Sequence, residues 1–184
     1  DDFAPRIDLD REGFPHIAWA RRVGEDTQIL YSLWRPDTGS SEESTVGIGD
    51  YPAIYVDGGG VIHVAYIRNN DVYYKNNRDG AFSTESRVST TPFEPESSVS
   101  LGGDPNGTIL VCYESKNSLY FVSYPLGDRF LPPRLLDRGG VLNPRMRVLE
   151  GGKVSIAYAK GGDIFFIQGQ STNLNLPQQV TDTP

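Results

Sequence analysis

The sequence predicts an all-β fold that consists of four repeated units of four short strands each. The first observation is a repeat: an aromatic residue within a similar strand recurs every 45–47 residues, at Trp19, Tyr66, Tyr113 and Tyr158. The second is the punctuation of the strands by glycine and asparagine, which reach the positive φ values that tight hairpin turns require. The third is that no long run places apolar residues at helical spacing. Repeats of this length that consist of strands are typical of β-propeller blades.

The clearest unit begins at residue 51, and its first three strands are predicted at residues 52–57, 61–68 and 71–75. The whole chain is predicted to be a single propeller domain over residues 1–184. Its four blades are expected at approximately 5–50, 51–94, 95–142 and 143–184. Four blades close into a ring, form half of an eight-bladed ring, or are a piece of a larger propeller. The second alternative implies a homodimer.

The composition excludes several classes of partner. The net charge of -7 argues against nucleic acid, because binding to its backbone depends on clustered Lys and Arg. No apolar run is long enough to span a membrane, and no signal peptide is recognisable. Cys112 is the single cysteine, so no internal disulfide is expected. We expect it to be a small buried core residue.

In a propeller the first strand of each blade lines the central channel, so its side chains alternate between channel and core. The side chains assigned to the core are Ile7, Leu9, Ile54, Val56, Val99, Leu101, Met146 and Val148. Those assigned to the channel are Arg6, Asp8, Ala53, Tyr55, Ser98, Ser100, Arg145 and Arg147. Within the second set, Arg6, Asp8, Tyr55, Arg145 and Arg147 are candidate ligand-binding residues, since guanidinium groups bind carboxylates through paired hydrogen bonds. The alternative is that the arginines and Asp8 pair with each other and hold the channel shut.

Two histidines, His16 and His63, occupy the same position in the first two repeats. A metal or catalytic role is one interpretation. The favoured one is a hydrogen bond within the blade, because Leu110 and Ser155 occupy this position in the other repeats. No metal site and no catalytic residue is predicted. Calcium is the one candidate cofactor, because residues 8–13 resemble the start of an oxygen-rich calcium loop. The favoured interpretation of these residues is a polar hairpin turn, with no cofactor.

The pattern Pro-x-Ile-x-x-Asp-x-x-Gly-x-x-His-Ile/Val-Ala-Trp/Tyr, followed by a Tyr-Tyr strand, resembles the blades of sialidase-like (BNR-repeat-like) propeller proteins. The resemblance is clear in the first two repeats and loose in the last two. It implies a secreted or cell-surface setting and a carbohydrate ligand. Neither the sialidase Asp-box (Ser-x-Asp-x-Gly-x-Thr-Trp) nor a Phe-Arg-Ile-Pro motif is present, and the family has six blades. No catalytic residue is therefore carried over from it.

The sequence thus favours a non-catalytic extracellular binding or interaction module that recognises a glycan or a protein partner. One alternative is a sialidase-like glycoside hydrolase that acts on acidic sugars, and another is a purely structural propeller. Trp34 and Phe93 are the aromatic side chains predicted to be exposed on loops, where sugar rings would stack on them.

Overall fold

A computed structural model describes residues 1–40, 43–89, 95–125, 129–149 and 151–183. The described chain forms strands that assemble into four antiparallel sheets, of five, four, four and five strands in chain order. This confirms the prediction of an all-β chain with four repeated sheets. The chain divides into two compact units, Asp1–Arg87 and Val88–Pro184. The expectation of one domain over residues 1–184 stays a prediction.

The first unit contains two sheets. The first sheet has the order β1-β2-β3-β4, with β5 on β3, and the second has the order β6-β7-β8-β9. The short strand β4 pairs only with the end of β3, so the four longer strands form the predicted repeat. The strands are β1 Asp2–Leu9, β2 Pro15–Val23, β3 Asp26–Arg35, β4 Gly39–Ser40, β5 Ser44–Ile48, β6 Asp50–Val56, β7 Ile62–Arg68, β8 Asp71–Asn76 and β9 Ser86–Arg87.

The second unit also contains two sheets. The third sheet has the order β10-β11-β12-β13, and the fourth has the order β14-β15-β16-β17, with β18 on β16. Each sheet therefore runs from its first strand outward through consecutive hairpins, as the repeat predicts. The strands are β10 Glu96–Gly103, β11 Ile109–Ser115, β12 Ser118–Tyr124, β13 Arg134–Asp137, β14 Val141–Val148, β15 Lys153–Lys160, β16 Asp163–Gln170, β17 Asn173–Leu174 and β18 Gln178–Gln179.

The core of the first unit lies between its two sheets. The first sheet contributes small residues from β2 and larger ones from β3, and the second sheet contributes β-branched residues and a tyrosine. Side chains alternate between the two faces of a strand, and cross-strand partners share a face, so every second residue of these strands lies in the core. The buried members of this core are Ala18, Ala20, Ile29, Tyr31, Val46, Ile54, Ile62, Val64 and Tyr66.

The first strand of the chain departs from the predicted alternation. Ile7 and Leu9 were expected in the core but are 58% and 54% exposed. Arg6 and Asp8 pair in register with Ala18 and His16, so they share the face that turns toward the second sheet. Alternation distinguishes the two faces of a strand, but it does not say which face meets a neighbouring sheet.

The core of the second unit lies between the third and fourth sheets and includes Leu110, Cys112, Phe121, Met146 and Ile156. Burial raises the pKa of the Cys112 thiol to about 12, so the thiol stays protonated and unreactive. The prediction that Cys112 is a buried core residue is confirmed. The predicted channel positions Ser98 and Ser100 are also buried, as is Ala53 in the first unit. Both faces of these first strands are therefore packed, which a strict channel-and-core alternation does not allow.

Candidate binding clefts

The predicted ligand-binding residues of the first unit lie on its two first strands. Asp8 Oδ2 accepts a hydrogen bond of 2.8 Å from the backbone N–H of Val56, so this carboxylate connects β1 to β6. Arg6 Nη1 donates to the carbonyl of Pro5 at 2.9 Å. The ring of Tyr55 stacks on His63, with centroids 5.7 Å apart. Of these contacts, the one made by Asp8 joins the two first strands, and all three residues are half-buried.

The second unit repeats this arrangement with different residues. Ser100 Oγ accepts a hydrogen bond of 3.0 Å from the backbone N–H of Met146, and it connects β10 to β14 as Asp8 connects β1 to β6. Arg145 Nη1 donates to the carbonyl of the preceding Pro144 at 2.9 Å. Arg145 and Arg147 are both exposed. The structure brings this pair together on β14.

The two predicted loop aromatics have different outcomes. Trp34 lies within β3, where it pairs with Ser40, and not on a loop as predicted; its side chain is 42% exposed, and its contact with a ligand stays a prediction. Phe93 lies outside the described residues.

Both histidines form the same hydrogen-bonded network inside their sheets. In the first sheet, His16 Nδ1 lies 2.7 Å from the hydroxyl of Tyr31, and Nε2 lies 3.3 Å from Asp10 Oδ2. In the second sheet, the corresponding distances from His63 to Tyr74 and Asp57 are 2.6 and 3.3 Å. The predicted hydrogen bond within the blade is confirmed. Each network ties the turn after the first strand to the third strand.

The surroundings of the second network fix its charges. Burial lowers the pKa of His63 and outweighs the opposing effect of the Asp57 carboxylate. Burial would raise the pKa of Asp57, but hydrogen bonds from the backbone N–H groups of Val61 and Gly59 and from His63 bring it below its usual value. At neutral pH the network therefore contains a neutral imidazole and an ionised carboxylate.

This arrangement predicts a pH-dependent stability of the first unit. In the unfolded chain His63 has its ordinary pKa of about 6.5, whereas burial lowers the pKa in the folded chain, so the folded chain takes up this proton only at lower pH. Between these two pKa values the unfolded state binds more protons, so the free energy of unfolding falls as the pH drops below about 6.5, by at most about 1.4 kcal/mol per pH unit. Urea denaturation between pH 7.5 and 5 would measure this slope.

The matched variant for that measurement is His63→Leu, whose slope over this range should be smaller than that of the unchanged protein. Asp57 does not affect the slope in this pH range. Its ionised carboxylate stabilises the folded chain, and this stabilisation is lost only when the pH falls through the ordinary carboxyl pKa of about 3.8 and below. An identical slope in the two proteins would contradict the assignment to His63.

A cleft of about 430 Å³ opens in the first unit between the β1–β2 turn and the β6–β7 turn. Its volume is within the range of roughly 300–1,000 Å³ that is usual for small-molecule sites. The glycine turn of the second sheet gives Arg11 room, because a Cβ on Gly58 would collide with the Arg11 guanidinium. The residues that line the cleft are Asp10, Arg11, Glu12, His16, Tyr31, Leu33, Arg35, Gly58, Gly59, Gly60 and Ile62.

The charged side chains of this cleft differ in the hydrogen bonds and ion pairs that they form with other described residues. Asp10 accepts hydrogen bonds at both oxygens, from the backbone N–H of Phe14 and from His16. The guanidinium of Arg35 lies 4.6 Å from the centre of the Phe14 ring. Neither Arg11 nor Arg35 forms an ion pair with a residue that the structure describes. Burial and the Asp10 charge raise the pKa of Tyr31 to about 12, so its hydroxyl keeps its proton.

A second cleft, of about 600 Å³, lies at the corresponding place in the second unit, between the β10–β11 and β14–β15 turns. Among the described lining residues, Asp104 alone has an ionisable side chain. Its Oδ1 accepts hydrogen bonds from the backbone N–H groups of Asn106 and Thr108 at 2.9 and 3.0 Å. The residues that line the cleft are Asp104, Pro105, Asn106, Thr108, Ser123, Pro125, Leu131, Gly151, Gly152, Gln170, Ser171 and Thr172.

The sequence did not identify either cleft as a site. The signal was present in the repeat, since both clefts are bordered by the turns that follow a first strand. The residues that face each other across the clefts are far apart in sequence, and only the stacking of the sheets brings them together.

Among the described residues, no group of three or more His, Cys, Asp or Glu side chains is arranged to hold a metal ion. Calcium binding by residues 8–13 stays a prediction. No helix in the described part of the chain has the length and apolar character of a membrane span.

Comparisons with known proteins identify similar folds. No family model and no curated protein sequence matches the chain. A Hadza microbial sialidase is similar with a TM-score of 0.67 at 12% identity, over 92% of this chain and 44% of that one. A mutant Aleuria aurantia lectin in complex with alpha-methyl-L-fucoside has a TM-score of 0.74 at 12% identity, over 98% and 62% of the two chains. An ulvan lyase of polysaccharide lyase family PL25 has a TM-score of 0.63 at 14% identity, over 93% and 56%.

The chain thus spans between 44% and 62% of the length of these three proteins. At 12–14% identity the similarities concern the fold alone. Together with the four antiparallel sheets, they show that this chain has a propeller-like fold of the kind found in a sialidase, a lectin and a polysaccharide lyase.

Proposed function

We propose that this chain is a non-catalytic glycan-binding module and that the first-unit cleft holds a sugar that carries a carboxylate. The observation on which this rests is the pair of guanidinium groups, Arg11 and Arg35, that line the cleft without an ion-pair partner among the described residues. Guanidinium groups donate paired hydrogen bonds to carboxylates, and such charge-assisted bonds are stronger than neutral ones.

The other groups in the cleft suit a sugar ring. Tyr31 presents a hydroxyl, Glu12 a carboxylate, and Leu33 and Ile62 present apolar surface. A sugar ring carries hydroxyls around its rim and C–H groups on its faces, so it needs both kinds of contact. The names of the similar structures give further support, since they include a sialidase, a lectin bound to a fucoside and a lyase of a polysaccharide.

The repeated histidine network favours binding over catalysis. The cleft is lined by Asp10, His16 and Tyr31, which are joined by hydrogen bonds. Considered without the second sheet, these contacts resemble those of a catalytic proton relay. The second sheet contains the same network with nearly the same distances around His63, which is 1% exposed and out of reach of a ligand. A network that forms equally well where no substrate can enter serves to stabilise the sheet.

The first-strand arginines remain a second place for the same ligand chemistry. Arg145 and Arg147 are exposed on β14 of the second unit. In the first unit, taken by itself, Trp34 offers an exposed ring on β3. Secretion, dimerisation and recognition of a protein partner stay predictions beside this proposal.

The test is a calorimetric titration with D-glucuronate and with D-glucose, which lacks the carboxylate. We expect saturable binding of D-glucuronate, and Arg35→Ala should weaken it by about tenfold, because a hydrogen bond to a charged group contributes roughly 1.5–3 kcal/mol. Arg22→Ala is the matched control, since Arg22 is exposed and also lies over a phenyl ring, that of Phe3. Equal binding of the two sugars, or equal losses in the two variants, would contradict the proposal.

A further inference from the structure

We propose that the second-unit cleft is a separate binding site for a neutral saccharide. It lies at the same place between its two sheets as the first-unit cleft, but its lining is chemically different. The first-unit cleft presents two arginines, whereas the second-unit cleft presents no lysine or arginine among its described lining residues. The ligand class therefore differs between the two.

The lining of the second-unit cleft combines an apolar surface with uncharged polar side chains. Pro105, Pro125 and Leu131 supply the apolar part. Hydroxyl and amide groups both donate and accept hydrogen bonds, as the hydroxyls of a sugar do. An anionic ligand would lose its hydration here without gaining a positive counter-charge from the described lining residues, which disfavours it. The hydroxyl and amide side chains of the lining are Asn106, Thr108, Ser123, Gln170, Ser171 and Thr172.

Several contacts hold these groups in place before a ligand arrives. The β10–β11 turn is fixed by the two backbone hydrogen bonds to Asp104 and by a third from the N–H of Gly107 to the Asp104 carbonyl, at 3.0 Å. The N–H of Leu131 donates to the carbonyl of Ser123 at 2.9 Å. Arg134 Nη1 donates to the carbonyl of Thr172 at 3.1 Å. Preorganised groups bind more tightly, because less conformational freedom is lost on binding.

Gly152 lies in the β14–β15 turn at the edge of this cleft. Its φ is +75°, and a Cβ there would lie 3.4 Å from Pro105 Cδ and 3.5 Å from Gln170 Oε1. A Cβ would therefore be in ordinary van der Waals contact with two of the groups that line the cleft. The left-handed backbone conformation, rather than a lack of space, is what favours glycine in this turn.

The test is a titration of the ¹⁵N-labelled chain, followed by amide chemical shifts, with five neutral disaccharides: cellobiose, maltose, lactose, xylobiose and chitobiose. We expect at least one of them to cause saturable shifts at Asn106, Gln170 and Thr172. Gln170→Ala should weaken that binding about fivefold, consistent with the loss of a neutral hydrogen bond. Ser171→Trp should abolish it by filling the cleft, with an unchanged far-ultraviolet circular dichroism spectrum.

Two controls separate this proposal from the one above. Gln178→Ala removes an exposed glutamine of the same unit that does not line the cleft, and it should leave the affinity unchanged. Arg35→Ala should weaken binding of D-glucuronate but not of the disaccharide. No shift with any of the five sugars, or shifts confined to the first-unit cleft, would overturn the inference, whatever the result with D-glucuronate.

Discussion

Replacing Tyr66 with alanine is expected to lower the free energy of unfolding of the first unit by about 3–5 kcal/mol, the usual cost of removing a buried aromatic ring. Tyr66 is 0% exposed and lies in the core between the first two sheets. Its ring stacks on Tyr73 with centroids 6.4 Å apart, and its hydroxyl donates to Glu85. The chain beside it is Gly47, which has no side chain that could move into the space left by the ring.

Urea denaturation monitored by far-ultraviolet circular dichroism would measure this loss. The control is Tyr66→Phe, which keeps the ring and removes only the hydrogen bond to Glu85, at an expected cost of about 1–2 kcal/mol. The difference between the two variants is the contribution of the ring. A cost for the alanine variant no greater than that for the phenylalanine variant would mean that this ring does not support the core.

The position of Tyr66 is also where sequence analysis predicted the fold most accurately. The same repeat position carries Tyr113 and Tyr158, and all three tyrosines are buried. Each stacks on an aromatic residue of the third strand of its sheet, as Tyr113 does on Tyr120 and Tyr158 does on Phe165. Strand alternation and repeat length are local properties of the sequence, so they could be obtained without knowing how the sheets pack.

What the sequence could not predict depends on contacts between sheets. Ile7 and Leu9 alternate as core residues do, yet their face is exposed, because the face of Arg6 and Asp8 is the one that meets the second sheet. The first-unit cleft is a similar case, since it needs Arg11 and Gly58 to approach each other across two sheets. Such non-local pairings leave no periodic signal in the chain.

The position of the histidine network is occupied by polar side chains in some repeats and by apolar side chains in another. In the first two sheets a histidine on the second strand meets a tyrosine on the third, as His63 meets Tyr74. In the third sheet the corresponding positions carry Leu110 and Phe121, both buried in the second-unit core. The aspartate of the turn is present in all three, since Asp104 stands where Asp57 does and accepts backbone hydrogen bonds in the same way. In the third sheet the two polar partners are therefore replaced together by two apolar ones.

This pairing predicts strong coupling between His63 and Tyr74. His63→Leu leaves a buried tyrosine hydroxyl without its 2.6 Å partner, and Tyr74→Phe does the same to the imidazole, so each change alone should cost about 1–3 kcal/mol. The double variant reproduces the Leu–Phe pair of the third sheet, and replacing both partners by apolar groups avoids the unpaired polar atom. We expect it to cost less than the sum of the single changes by about 1–2 kcal/mol.

Urea denaturation at pH 7.5 of the unchanged protein, the two single variants and the double variant measures this coupling. The control is the same set of measurements with Tyr73→Phe in place of Tyr74→Phe. Additive costs for His63 and Tyr74 would show that their contact does not stabilise the sheet.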